Sequence, residues 1–563
     1  MQRESAEPLV LDRREVARRT AALRVPSGTG QVAAMQRPDV TPSWPTGRST
    51  SFPAPSLAVV VLNRMAFGPR PGDVDAFNIL GGSDEERLDA HLDQQLAPTT
   101  IDDSECDARL AAGGFTTLAK SRAQLWADHV VANVERYRPF EESRTAAFLR
   151  AVYSRRQLLE VLVDFWHNHF NVYGRDYWVA PMFVHYDRDV IRAHALGSFR
   201  AMLEAVAQST AMLYYLDNYT SSNAGPNENW ARELFELHTL GAESYYGVRQ
   251  QSEVPLDPGG VPIAYVDADV YEATRAFTGW TVRNSSSNPA IGNTGEFFYR
   301  DEWHDRFQKT VLGVFMPADQ PPLADGLQVL DALARHPGTA RHIAGKLCRR
   351  LVADEPPAEL VEQAASVFAA GVDAADQIAQ TVRFILFSNA FRTTWGEKVK
   401  RPFEISVSAL RAAGTQVQLA QGDSETSSFL SSFRSCGQPL YEWVAPDGYP
   451  DLRQSWQSPS PRVMSWRHVN WLIGWGESSG SFQLDVLGQT PSWARSANQL
   501  ADFWIQRLLG RPMPSGERLE IVEFMAQGHN PDLALPLDSS ASTRDRLRAM
   551  VGLIFMAPSF LWR

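Results

Sequence analysis

Three short stretches of this 563-residue chain gather the side chains that do chemistry. The first is LLEVLVDFWHNHFNVYG, residues 158–174, with Asp164, His167 and His169. At about 100° per residue, His169 falls with the apolar stripe of Leu158, Val161, Leu162 and Phe165, and His167 falls on the opposite side, pointing outward. Asp164 and His167 have an Asp-x-x-His spacing found on some metal-binding helices. The second stretch, GPNENWARELFELHTLG (225–241), places Glu228, Asn229, Arg232, Glu233, Glu236 and Thr239 on one arc. Such an arc reads either as a solvated face with an i,i+4 ladder of Glu228, Arg232 and Glu236, or as the wall of an interior pocket. In a pocket, its carboxylates would ligate metal or act as a base. His238 lies nearly opposite Glu236, so one metal could not take both from a regular helix. Asn227 or Glu228 can cap this helix. The third stretch, WHDRFQKTVLG (303–313), offers His304, Asp305 and Lys309 as a ligand with its supporting acceptor and a cation, or as a turn with a cap.

The elements that must hold these residues are helical. Apolar residues recur at three- and four-residue intervals through most of the chain, and long strand-like alternation is missing. The class predicted is mainly α: a large multi-helix body with at most short β-hairpins, the best candidate being EFFYRDEW near residue 296. Residues 1–55 are rich in Arg, Ser, Thr and Pro and read as an extended arm, able to grip a protein partner. Residues 56–475 form the helical body with the candidate site, and 476–563 a C-terminal helical module that loosely repeats residues 340–396. The Ser-rich stretch from Gly422 to Ser435 reads as a loop.

Composition narrows the function classes. With 54 basic and 65 acidic residues, a formal charge of -11 and no Lys/Arg block, the chain is not suited to nucleic acid. No segment is apolar enough to span a bilayer. Three scattered cysteines, Cys106, Cys348 and Cys436, suit neither a disulfide framework nor a four-thiolate zinc site. The Arg13-Arg14 pair resembles a twin-arginine export signal, but Val16 to Arg24 behind it is basic, so the expected location is cytoplasmic. Phosphate-loop, dinucleotide, nucleophile-elbow and His-Glu-x-x-His motifs are missing, so no nucleotide cofactor is expected.

The segments DFWHNHFNVYG, HALGSFRAMLEAVAQSTAMLYYLDN, NENWARELFELHTLG, AFTGW, HDRFQKTVLG, HPGTARHIAGKL and GQPL…PDGYP…W occur in this order. Together they resemble the bacterial family catalogued as domain of unknown function (DUF) 1800, from about Leu62 to Trp475. The family's patterns fall on Trp166, Asn168, His169, Phe170 and Asn171; on Asn227 to Leu237; and on His304, Asp305 and Lys309. Its Tyr-Glu-Arg is Tyr186-Asp187-Arg188 here, a shortened carboxylate. The resemblance implies that many relatives are exported.

A signature of Asn, Glu, Arg and His in separate segments points to one polar interior, because buried charges must be paired or bound to metal. The leading expectation is an enzyme pocket acting on a small or anionic substrate by hydrolysis or oxidation. Its catalytic groups would be Glu233, Arg232, Lys309 and Asn229. Its metal ligands would be His169, Glu228, Glu236, His304 and Asp305, around zinc, iron or manganese. The alternative is a non-catalytic binding or assembly protein whose polar core is structural.

Overall fold

Leu57–Arg64 opens the body as a helix (α1) whose eight residues are all buried, which is why its sequence, LAVVVLNR, carries no polar face. The structure is a computed structural model and describes residues 55–474 and 480–563. The arm read over residues 1–55 lies, apart from Pro55, outside the described residues.

Helices dominate, as the periodicity predicts. Those that position the candidate site are α2 (Arg138–Tyr153), α3 (Gln157–His169), α4 (Asn229–Glu233), α5 (Asp267–Ala276), α6 (Pro337–Leu351) and α7 (Pro402–Ala412). Proline stands in the first turn of α2, α6 and α7, where its missing N–H costs nothing. Among the described residues there are three sheets of two strands each. Strand β1 (Trp280–Asn284) pairs antiparallel with β2 (Asn293–Tyr299), so the strand expected near residue 296 is present, followed by a 3-10 turn at Asp301–Trp303. Strands β3 (Lys309–Val311) and β4 (Val314–Met316) form a hairpin, and Gln416–Val417 pairs with Phe482–Gln483.

One hydrophobic cluster fills the body from Leu57 to Phe482, and a second holds α8 (Ala497–Leu509), α9 (Ala541–Met556) and their neighbours. Helix α7 is the wall between them. Phe403, Val407 and Leu410 pack into the first cluster, while Ile405, Ala409 and Ala412 pack into the second. All eleven residues of α7 are therefore buried. Residues 337–393 run through helices Pro337–Leu351, Ala358–Ala370, Gln377–Phe387 and Asn389–Thr393; residues 497–561 run through Ala497–Leu509, Ser515–Ala526, Ala541–Met556 and Pro558–Leu561.

Two expectations need correction. The Ser-rich stretch from Gly422 to Ser435 is a helix, Ser424–Arg434, started by the Asp423 carboxylate accepting the Thr426 N–H. Its Thr426, Phe429 and Phe433 are buried at three- and four-residue spacing, a stripe that the serines between them obscure. His167 does not point outward: it is buried, and its Nε2 meets Asp187 Oδ1 at 2.9 Å. No described helix is long and apolar enough to cross a membrane.

Candidate functional site

The C-terminal end of α3 and the loop 438–451 build the site's floor together. Asn171 donates from Nδ2 to the carbonyls of Trp443 and Ala445, at 3.1 and 2.7 Å. Asn168 accepts the Tyr449 N–H at 3.1 Å and donates to the Asp164 carbonyl at 2.7 Å. Gly448, at φ +72°, lies directly against the Asn168 carbonyl, where any Cβ would collide with it. The asparagines of one recognisable motif thus hold the PDGYP loop of another.

On that floor stands His169. Its Nδ1 faces Lys346 Nζ at 2.9 Å and its Nε2 faces the His238 carbonyl at 3.1 Å. These partners fix a neutral tautomer, with Nε2–H donating to the carbonyl and Nδ1 accepting from the lysine. Burial, and after it the nearby Lys346, hold His169 well below the usual histidine range. Lys346 lies on α6, one turn from His342, whose Nδ1 meets Glu243 Oε1 at 3.0 Å. Burial, then Arg349, lowers Lys346 to about 8.

Helix α4 runs into a π turn, Leu234–His238. Widened turns of this kind re-aim side chains and often mark functional sites. Here the turn drives His238 into the core, between Trp230 and Phe170 at ring-centroid distances of 5.7 and 5.1 Å. Both nitrogens of this fully buried ring lack a hydrogen-bond partner among the described residues. Burial, then Lys346, pushes the ring down to about 3, so it is neutral. Glu233 is half-buried and has no hydrogen-bond or ion-pair partner among the described residues. Burial first, and Glu236 second, raise its carboxyl to about 7. Asp447 of the PDGYP loop lies within electrostatic reach of both Glu233 and Lys346, placing these groups around a single carboxylate. Glu236 in turn raises the buried phenol of Tyr265, after burial itself, and that hydroxyl has no hydrogen-bond partner among the described residues.

The structure therefore brings together four of the recognisable segments, through His169, Glu233 with Glu236 and His238, His342 with Lys346, and Asp447. Other expected residues lie elsewhere. Glu228 and Asn229 are exposed, and Arg232 turns outward to Glu228 at 3.1 Å and Asp267 at 3.6 Å. That pair is one rung of the surface ladder; Glu236 does not join it. The main-chain N–H of Asn229 is capped by Asn227 Oδ1 at 3.0 Å.

His304, Asp305 and Lys309 form a separate buried network. His304 Nε2 meets Asp325 Oδ2 at 3.0 Å while its Nδ1 faces the Thr278 carbonyl at 2.9 Å. Lys309 donates to the carbonyls of Asp305 and Phe307 and to Asp325 Oδ2, at 2.6, 2.8 and 2.7 Å. Asp305 takes both arms of the Arg275 guanidinium at 2.9 Å. Every group here is satisfied within the network, and among the described residues none of its hydrogen bonds or ion pairs reaches His169 or Glu233. Near α3, His167, Arg150 and Arg192 surround Asp187. Burial works to raise the Asp187 carboxyl, yet Arg192 and the His167 bond outweigh it and hold the group far below its ordinary range. The shortened carboxylate thus serves packing between two helical segments.

The structure does not gather the expected metal ligands His169, Glu228, Glu236, His304 and Asp305 into one set among the described residues. Both nitrogens of His169 and of His304 are committed, Asp305 is clamped by arginine, and Glu228 faces solvent. Among the described residues no group of three or more His, Cys, Asp or Glu is arranged to hold an ion.

Sequence reasoning missed His342, Lys346 and Asp447 as site residues. The i,i+4 spacing of His342 and Lys346 in HPGTARHIAGKL was a usable signal, since it sets both on one helical face. A family model described as "Protein of unknown function (DUF1800)" matches residues 60–562, so the match runs through the C-terminal module, well past Trp475. No curated protein and no solved structure matches the chain.

Proposed function

The chain belongs to the DUF1800 family of proteins of unknown function, and from that premise and the geometry around Glu233 we propose an enzyme that works by general acid–base chemistry, of a hydrolytic kind, on a small substrate. The observation that carries this reading is one unpartnered carboxyl brought to about 7 and one lysine brought to about 8, each within electrostatic reach of Asp447. Proton transfer is most effective when the transferring group titrates near the working pH, and neighbouring groups with pKa values displaced in opposite senses divide the roles of base and acid. Glu233, when ionised, takes a proton from water or from the substrate. Lys346, as an ammonium, returns a proton or steadies negative charge on the reacting oxygen. His169 orients the lysine by accepting one of its hydrogens, and His238 keeps two free ring nitrogens below the site. Between pH 7 and 8 both groups hold the required states in part, so activity should pass through a narrow maximum there.

The first test is the titration of Glu233 itself. An infrared carboxylic-acid band present at pH 6, lost by pH 8 and missing from Glu233→Gln is the expected result. A Glu233 carboxyl already ionised at pH 6 would be an ordinary, weakly basic carboxylate and would end the proposal. Where a chromogenic ester, amide or glycoside is turned over, Glu233→Gln should lower kcat by about 10²–10⁴-fold.

A further inference from the structure

We infer that the cleft between α1, α2 and α8 binds a small molecule bearing a doubly charged oxyanion group, gripped by Arg155 and Arg507. The cleft has a volume of about 670 Å³, in the range of small-molecule sites, and Phe77 and Tyr153 of the first hydrophobic cluster line it. It lies apart from Glu233 and Lys346, neither of which lines it.

Four guanidiniums line the cleft, those of Arg70, Arg155, Arg411 and Arg507, against the two carboxylates of Asp73 and Glu105. Both carboxylates are already used. Arg70 forms a two-pronged bond to Glu105 at 3.0 and 3.1 Å. Arg411 donates to Asp73 at 3.2 Å and to the carbonyls of Gly68 and Val152, each at 2.7 Å. The other two cations form no ion pair among the described residues, although Arg155 stands within electrostatic reach of Asp102 and Glu105. Arg155 is exposed, and its side chain makes no hydrogen bond or ion pair. Arg507 has one partner, the neutral amide oxygen of Gln489, and its buried Nε has none.

A partly buried guanidinium without an anion is unfavourable, and it stands out in a chain whose formal charge is -11. The free guanidinium fork of Arg155 and the uncommitted N–H groups of Arg507 Nη1 on one cavity match a tetrahedral phosphate or sulfate group, which accepts several charge-assisted N–H bonds at once.

The experiment is calorimetric titration of inorganic phosphate into the full-length chain at constant ionic strength, repeated with sulfate. Wild type is expected to show one saturable site for both ions. Arg155→Gln should weaken it at least about tenfold, the loss of one charge-assisted pair, and Arg155→Gln with Arg507→Gln should abolish it. The side chain of the exposed Arg155 makes no hydrogen bond or ion pair among the described residues, so its variant keeps the fold even if Arg507→Gln does not. Glu233→Gln should bind phosphate as wild type does, which separates this result from the acid–base reading. Non-saturable heats in wild type, or equal affinity in Arg155→Gln, would overturn the inference.

Discussion

At the scale of the residue, Glu233 is a carboxyl whose native surroundings favour the protonated form. Its folded pKa of about 7 lies above the value near 4.5 of an unfolded glutamate, so the folded state binds the proton more tightly. Stability contributed by this group is therefore complete below about pH 4.5 and is lost as pH rises through 7. Because Glu233 is partly open to solvent, the loss is discounted to about 1–2 kcal/mol. Glu233→Gln keeps the shape and removes the titration. Urea unfolding should find the variant more stable than wild type by that amount at pH 8 and nearly equal to it at pH 5; a variant less stable at pH 8 would show that the ionised carboxylate has a stabilising partner. A protein that tolerates such a group at neutral pH keeps it for something other than stability. Lys346 obeys the opposite sign: its pKa of about 8 lies below the ordinary lysine value, so its contribution grows as pH rises from 8 toward 10.5. Lys346→Met should therefore stabilise the fold at pH 7 and lose that advantage by pH 10, a crossover readable from the same urea series.

At the scale of the element, the site depends on a loop pinned to a helix end. Gly448 must adopt a left-handed backbone and leave no room between itself and the Asn168 carbonyl. Gly448→Ala should therefore cost about 3 kcal/mol or more, combining backbone strain with a steric clash. It should also carry Asp447 away from Glu233, lowering the Glu233 pKa, since a neighbouring negative charge would be withdrawn. Thermal unfolding measures the first effect and the carboxyl infrared band the second; a stable variant with an unmoved Glu233 would mean that the loop does not shape the site. The mainly helical class was legible because apolar spacing reports which face is buried, and α3, α4 and α6 all carry that signal. Less legible was anything that departs from a regular helix. A wheel drawn at constant pitch cannot represent the π turn at Leu234–His238, nor the π turn at Tyr186–Arg192 that brings Asp187 to His167. His167 was misplaced because a helix buried on most of its circumference has no outward side to assign. The serines of Ser424–Arg434 concealed a helix because a cap and the three buried residues Thr426, Phe429 and Phe433 outweigh weak local propensity.

At the scale of the whole molecule, the shared wall α7 carries a charge centre that no sequence pattern announced, since its members come from segments hundreds of residues apart. Glu404 accepts from Arg350 at 2.5 Å and from Arg563 at 2.7 Å, and Arg401 stands 3.6 Å away. Asp164, on α3 beneath His169, takes Arg350 at 3.2 Å and also Arg401. Asp451, on the loop that brings Asp447 to the site, lies 3.6 Å from Arg350 and 3.3 Å from Lys398. The same centre therefore fixes α3, α6, α7, the PDGYP loop and the C-terminal Arg563, and it couples the site to the junction of the two hydrophobic clusters. Burial works to raise the Glu404 carboxyl, but Arg563, Arg350 and Arg401 outweigh it and hold the group well below the ordinary range. Its stabilising contribution is thus present above the unfolded value near 4.5 and is lost as pH falls toward the depressed folded pKa. Glu404→Gln would leave three buried guanidiniums short of one charge, a change that costs about 3–5 kcal/mol when a buried pair is broken. At pH 7 the variant should unfold in urea with that deficit, and between pH 5 and 3 it should lose less further stability than wild type does. Tryptophan fluorescence would follow both clusters, through Trp166 in the first and Trp504 in the second. One transition shared by both is expected in wild type, because α7 cannot leave one cluster without exposing the other. A variant matching wild type at pH 7 would show that the arginines are held by Asp164 and Asp451 alone, and that Glu404 does not join the two halves.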